Sequence, residues 1–193
     1  MALSVELATF CDNWRTKAEA YSSEDIGGAF DRFFTLYVAF NRLYAEATFR
    51  LARRGHVKLR DRFPDSKAAQ EYVIQFCGAE ALTHAWDGDP NAANALHQIA
   101  DHLRQGRFAL KLDMVSGAMR PEADRKLLAS LESASRNRRA HAVLETLYSI
   151  RCNMFHGHKE FEPIQIDLLK PAILLLENTT DTLRRALDAD GVG

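Results

Sequence analysis

The chain has 193 residues, of which 47% are hydrophobic and 26% charged, and its net charge is −1. That balance fits one globular domain with a sizeable core and excludes a chain whose overall charge would draw it to nucleic acid; any such contact must come from local patches. No run of 18 apolar residues is present, which excludes an ordinary transmembrane helix, and the opening MALSVELATFCDNW lacks the basic start of a signal peptide.

Apolar spacing predicts seven helices in chain order. The first covers about 3–21, with Leu3, Leu7, Phe10 and Trp14 on one stripe. After a turn-rich break at 22–28, the second covers about 29–54. It carries two stripes, one with Phe33, Tyr37 and Tyr44 and one with Leu36, Phe40 and Leu43. A helix apolar on more than one side belongs in the middle of a bundle. The third covers about 66–86, with Tyr72, Val73, Phe76 and Cys77 facing inward, and DGDPN at 87–91 is a turn. The fourth covers about 91–105. RFALKL at 107–112 alternates weakly, as a short extended piece would. Pro121 suits the first position of a fifth helix. The sixth covers about 136–155. The seventh covers about 165–189, and Pro171 either kinks it or marks its start. The fold class predicted is an all-α bundle, one domain over 1–193. Cys11, Cys77 and Cys152 have no metal-ligand spacing and are odd in number, so they read as reduced thiols of a cytoplasmic chain.

The sixth helix ends in RCNMFHGHK, residues 151–159. Its apolar stripe is Val143, Leu144, Leu147, Tyr148, Met154 and Phe155, and Arg151 lies on that stripe, four residues from Leu147 and four from Phe155. A charge on a core-facing stripe is costly, so it has a partner or the stripe opens into a site. His156 follows at the helix end, before Gly157, a common helix terminator. A fixed cation and a titratable imidazole can thus meet one phosphate. Arg50/His56 and Arg136/His141 share the bare spacing, but their charged surroundings read as solvated surface.

RCNMFHG, preceded by LETLYSI, resembles the signature of the HEPN superfamily, in which four to six residues separate an arginine from a histidine. FFTLYVAFNRLYAEA at 33–47 resembles the aromatic-rich early helix of many such domains. The resemblance covers about residues 30–180. It implies an all-helical fold that forms a twofold dimer. In active members it also implies metal-independent RNA cleavage at a composite site, in toxin–antitoxin or antiviral systems, with a cognate antitoxin or nucleotidyltransferase-like partner. No metal and no cofactor is implied. Cys152 departs from the polar residue that often follows the arginine, while Asn153 restores an amide one place later.

The residues suit that chemistry. Histidine near neutrality serves as base or acid, arginine binds phosphate oxygens in a fork, and an amide orients either. Arg151, His156 and Asn153 are the candidate catalytic set. Arg53, Arg54, Lys58, Arg60 and Lys159 are the candidate RNA contacts, because RLARRGHVKLRDR at 50–62 concentrates basic residues. The alternative is a non-catalytic module of the same type that binds RNA, a nucleotide or a partner protein, with Arg151 and His156 as a structural pair. No Walker A, GxGxxG, GxSxG or HExxH sequence points to another enzyme class.

Overall fold

The computed structural model describes residues 3–113, 115–155 and 163–191. Helices make up nearly all of the regular structure, and the all-α expectation holds. Helix α1 (Val5–Glu19) starts where the Ser4 hydroxyl accepts from the Leu7 amide at 3.2 Å, an N-cap bond. Helix α2 (Ile26–Arg53) is capped by Asp25, which accepts from the Gly28 amide at 2.8 Å. Only glycine fits at position 28, because a Cβ there would stand 2.1 Å from the Ser22 carbonyl oxygen.

The stretch predicted as one third helix is divided. Asp65–Lys67 (α3) leads into a π turn, Ala68–Tyr72, and then Val73–Cys77 (α4). Gly78 then breaks the chain at φ 84° and ψ 136°, before α5 (Ala79–Gly88). The apolar rhythm persists on both sides of Gly78, through Val73 and Ile74 and then Leu82 and Trp86, which is why periodicity alone reads across it. Gly78→Ala should cost about 1–3 kcal/mol, since a side chain is strained at this φ, although the space around it is open. Urea unfolding checks this; an unchanged midpoint would mean that the turn relaxes freely.

Asp89 caps α6 (Pro90–Arg104), accepting from the Asn91 amide at 2.8 Å, with Pro90 in the first turn. Residues 107–111, expected as part of a short extended piece, carry no regular structure, and Leu112 forms an isolated antiparallel bridge with Met119. Helix α7 (Pro121–Leu131) and α8 (Arg136–Phe155) follow, and then a short 3₁₀ turn, Pro163–Gln165, leads into α9 (Ile166–Ala189). Pro171 is buried inside α9, which resolves its place: the helix begins before it.

Helix α9 lies against α2, α5 and α6, while α1 covers α2 and α7 packs on α8. The two stripes of α2 place it centrally, with Phe33, Phe40, Leu43 and Tyr44 almost wholly buried. Ion pairs Arg15–Asp181 at 2.6 Å and Arg32–Glu177 at 2.9 Å fasten α1 and α2 to α9. The three cysteines are free thiols. Burial pushes the Cys11 thiol up to about 11 and the Cys77 thiol to about 12, so both stay protonated and inert. Among the described residues, no helix is long and apolar enough to cross a membrane.

Candidate functional site

Helix α8 carries Arg151 down an apolar face whose Leu144 and Leu147 are fully buried. The Arg151 side chain itself remains 22% exposed. The π turn after α3 packs against both α2 and α8, and this brings Asp65 to the arginine. Asp65 Oδ2 lies 3.8 Å from Arg151 Nη1. That separation is longer than the roughly 2.7–2.9 Å of a close charged hydrogen bond, so the pair is loose. The guanidinium carbon also stands 5.8 Å from the Tyr37 ring centre and 5.9 Å from that of Tyr148, within cation–π range. Its Nη1 is 3.9 Å from Cys152 Sγ.

Asp65 is held by hydroxyls. Tyr44, fully buried on α2, donates to Oδ1 at 2.6 Å, and the Asn41 amide donates to the Tyr44 oxygen at 2.5 Å. The Tyr148 hydroxyl donates to Oδ2 at 3.4 Å. Burial, followed by the influence of Cys152 and Asp65, pushes Tyr148 up to about 12. Burial also raises Tyr37 and Tyr44 well above the ordinary phenol, against the opposing pull of Arg151. All three are neutral hydroxyls at pH 7. The Tyr37 hydroxyl is buried beside the cluster with no hydrogen-bond partner among the described residues. For Arg151, burial is the largest influence and favours the neutral form. Cys152, Tyr37 and Asp65 together outweigh it, so the guanidinium is held firmly charged.

Among the candidate catalytic residues, the structure places Arg151 in this cluster but leads Asn153 elsewhere. The Asn153 amide donates to the Leu110 carbonyl at 3.0 Å, fastening the 107–112 segment to α8. His156 and Lys159 lie outside the described residues, as does His158.

The basic segment divides into two parts. Lys58 and Arg60 are exposed and alternate with half-buried Val57 and Leu59, and Asp61 and Arg62 follow as an exposed bend. Phe63 packs on Phe49 with ring centres 5.8 Å apart and anchors this loop just before Asp65. Arg53 and Arg54 belong to a different surface. At about 100° per residue, Arg42, Glu46, Arg50 and Arg53 fall on the side of α2 opposite Tyr37, Asn41 and Tyr44. Arg53 pairs with Glu46 at 3.3 Å and Arg54 with Asp190 at 2.6 Å. Arg50 corrects the sequence reading: it is 7% exposed, not solvated, because Glu46, Asp190 and the Leu187 carbonyl enclose its guanidinium. Arg136 is exposed, as expected, and pairs with Glu80.

Sequence reasoning missed Asp65 and the hydroxyls of Tyr44 and Tyr148. Tyr44 and Tyr148 were visible only as members of apolar stripes. Asp65 lies far from Arg151 along the chain, and no spacing rule links them. No protein-family model, curated protein or solved structure matches the chain.

Proposed function

We propose that the protein is a HEPN-type endoribonuclease that cuts RNA without a metal and works as a twofold dimer. The observation that carries this reading is Arg151: a charged guanidinium, 22% exposed at the end of an otherwise buried helical face, with the Asp65 carboxylate 3.8 Å away. A guanidinium binds phosphate oxygens as a charged fork and stays charged at neutral pH. His156 follows one residue after the end of α8 in the sequence.

In the proposed reaction, one imidazole takes the proton of the RNA 2′-hydroxyl, and that oxygen attacks phosphorus. The bond from phosphorus to the 5′-oxygen breaks, and a second imidazole protonates the leaving oxygen. Arg151 stabilises the charge that builds on the non-bridging oxygens. The products are a 2′,3′-cyclic phosphate and a 5′-hydroxyl. The two histidine roles come from two copies of the chain, each supplying one His156. A toxin or antiviral role, with a cognate antitoxin or nucleotidyltransferase-like partner, follows from the HEPN resemblance alone. The test is cleavage of mixed RNA in EDTA by the wild type and by the Arg151→Ala and His156→Ala variants.

A second reading, a non-catalytic module that binds RNA, a nucleotide or a partner protein, draws on the same cluster. Asp65, Tyr37 and Tyr148 surround Arg151 as they would a structural cation. The two readings part in the EDTA assay, since only the first yields products.

Whichever holds, Lys58 and Arg60 lead the candidate RNA contacts, because their loop runs into Asp65. Each lost contact to single-stranded RNA should lower the salt slope of binding by about 0.7. Lys58→Gln with Arg60→Gln should therefore flatten it by about 1.4 when affinity is followed across salt concentrations. An unchanged slope would make the loop an ordinary solvated surface.

A further inference from the structure

On the side of α2 opposite the Arg151 cluster lies a cleft of about 520 Å³, within the usual size of a small-molecule site. Arg42, Arg50, Arg53 and Arg54 line it together with Glu46 and Asp190. Four guanidiniums against two carboxylates leave a charge of +2. The carboxylates are already shared. Glu46 serves Arg50 at 2.9 Å and Arg53 at 3.3 Å, and Asp190 serves Arg50 at 3.2 Å and Arg54 at 2.6 Å. Four guanidiniums carry about twenty N–H donors, while two carboxylates offer about eight acceptor positions. The cleft is rich in forked donors and short of acceptors.

It is also built rather than incidental. Arg50 is the floor, buried and fixed by three acceptors. Arg53 and Arg54 stand exposed at the rim, and Arg42, also exposed, has no ion pair among the described residues. Ser4, the N-cap of α1, forms part of the wall, so the positive end of that helix adds to the field. Asp190 is held below the ordinary carboxylate range by Arg54 and Arg50, which overcome the opposing effect of burial; it is ionised and already engaged.

We propose that this cleft is a second site, independent of Arg151, which binds a phosphoryl dianion, either free or carried on a small molecule. The +2 charge matches a phosphate monoester, which carries about −1.5 to −2 at pH 7. Arginine forks match its oxygens in pairs. The binding does not depend on RNA cleavage.

The test is titration calorimetry of the full chain with inorganic phosphate and, separately, with adenosine monophosphate, at low and high salt. The expected result is saturable binding of one anion per chain that weakens with salt. Arg42→Gln with Arg53→Gln should weaken it at least tenfold; both residues are exposed, so the folded state survives, as an unchanged melting temperature without ligand will show. Equal affinity for the two probes would assign recognition to the phosphoryl group alone, whereas tighter adenosine monophosphate would add nucleoside contacts to Glu46 or Asp190. Absence of saturable binding would overturn the proposal, as would equal binding by the double variant or a loss caused instead by Arg151→Gln. Binding of single-stranded RNA alone, dependent on Arg42 and Arg53, would also overturn it and make the cleft part of an RNA path.

Discussion

Mixed RNA incubated with the purified chain in excess EDTA is expected to be cut, and Arg151→Ala or His156→Ala is expected to slow the cutting by about 10²–10⁴-fold. The scale is that of losing a general acid or base, or a donor that stabilises transition-state charge. The readout is a denaturing gel with end analysis, in which the products carry a 2′,3′-cyclic phosphate and a 5′-hydroxyl. Arg151→Ala leaves Asp65 still bonded to Tyr44 at 2.6 Å, so the variant should keep its helicity and mainly lose turnover. Mixed dimers of the two inactive variants should regain part of the activity if the two copies divide the work. Equal rates for wild type and both variants would remove the catalytic reading and leave the binding module.

Trp86→Ala is expected to be the most destabilising of the substitutions considered, by about 3–5 kcal/mol, the usual cost of emptying a large aromatic site. Trp86 is fully buried at the junction of α5 and α9. Its indole N–H donates to Thr179 Oγ1 at 3.1 Å, and that hydroxyl in turn donates to the Leu175 carbonyl at 2.6 Å. The alanine variant leaves a void and removes the indole from a buried hydroxyl. At roughly 2–4 °C per kcal/mol for a chain of this size, the melting temperature should fall by about 6–20 °C. Trp86→Phe keeps most of the volume and should lose only a part of that. A Trp86→Ala chain that melts within 2 °C of the wild type would contradict the packing of α5 on α9.

The helices of this chain announce themselves where one face is continuously apolar. The two stripes of α2 place it in the centre, and the placement of Leu147 and Arg151 on one face of α8 was readable from spacing alone. What spacing cannot register is a partner distant in sequence. Asp65 pairs with Arg151 only because a loop, a short helix and a π turn bring it back between α2 and α8. Arg50 fails for the same reason in the other direction. Beside Arg53 and Arg54 it looks like solvated charge, yet Asp190 and the Leu187 carbonyl, at the far end of the chain, enclose it. Gly78 was visible, but its effect depends on a backbone angle that leaves the apolar rhythm intact. Asn153 shows the limit of motif reading: an amide two residues from an arginine on a helix points about 200° away from it.

A π turn holds one more residue than the α-helix it interrupts. Ala68–Tyr72 therefore works as a built-in insertion between Asp65 and the buried Val73. A chain shortened by one residue there would close into plain α-helix. Because the turn absorbs its extra residue locally, the flanking segments would keep their facing, with Val73 and Ile74 still seated in the core. Asp65 would still face Arg151, and the Tyr44 hydroxyl would keep its acceptor. The segment thus carries one residue of chain in surplus, and a single deletion within Ala68–Tyr72 would remove the turn while preserving the aim of the carboxylate.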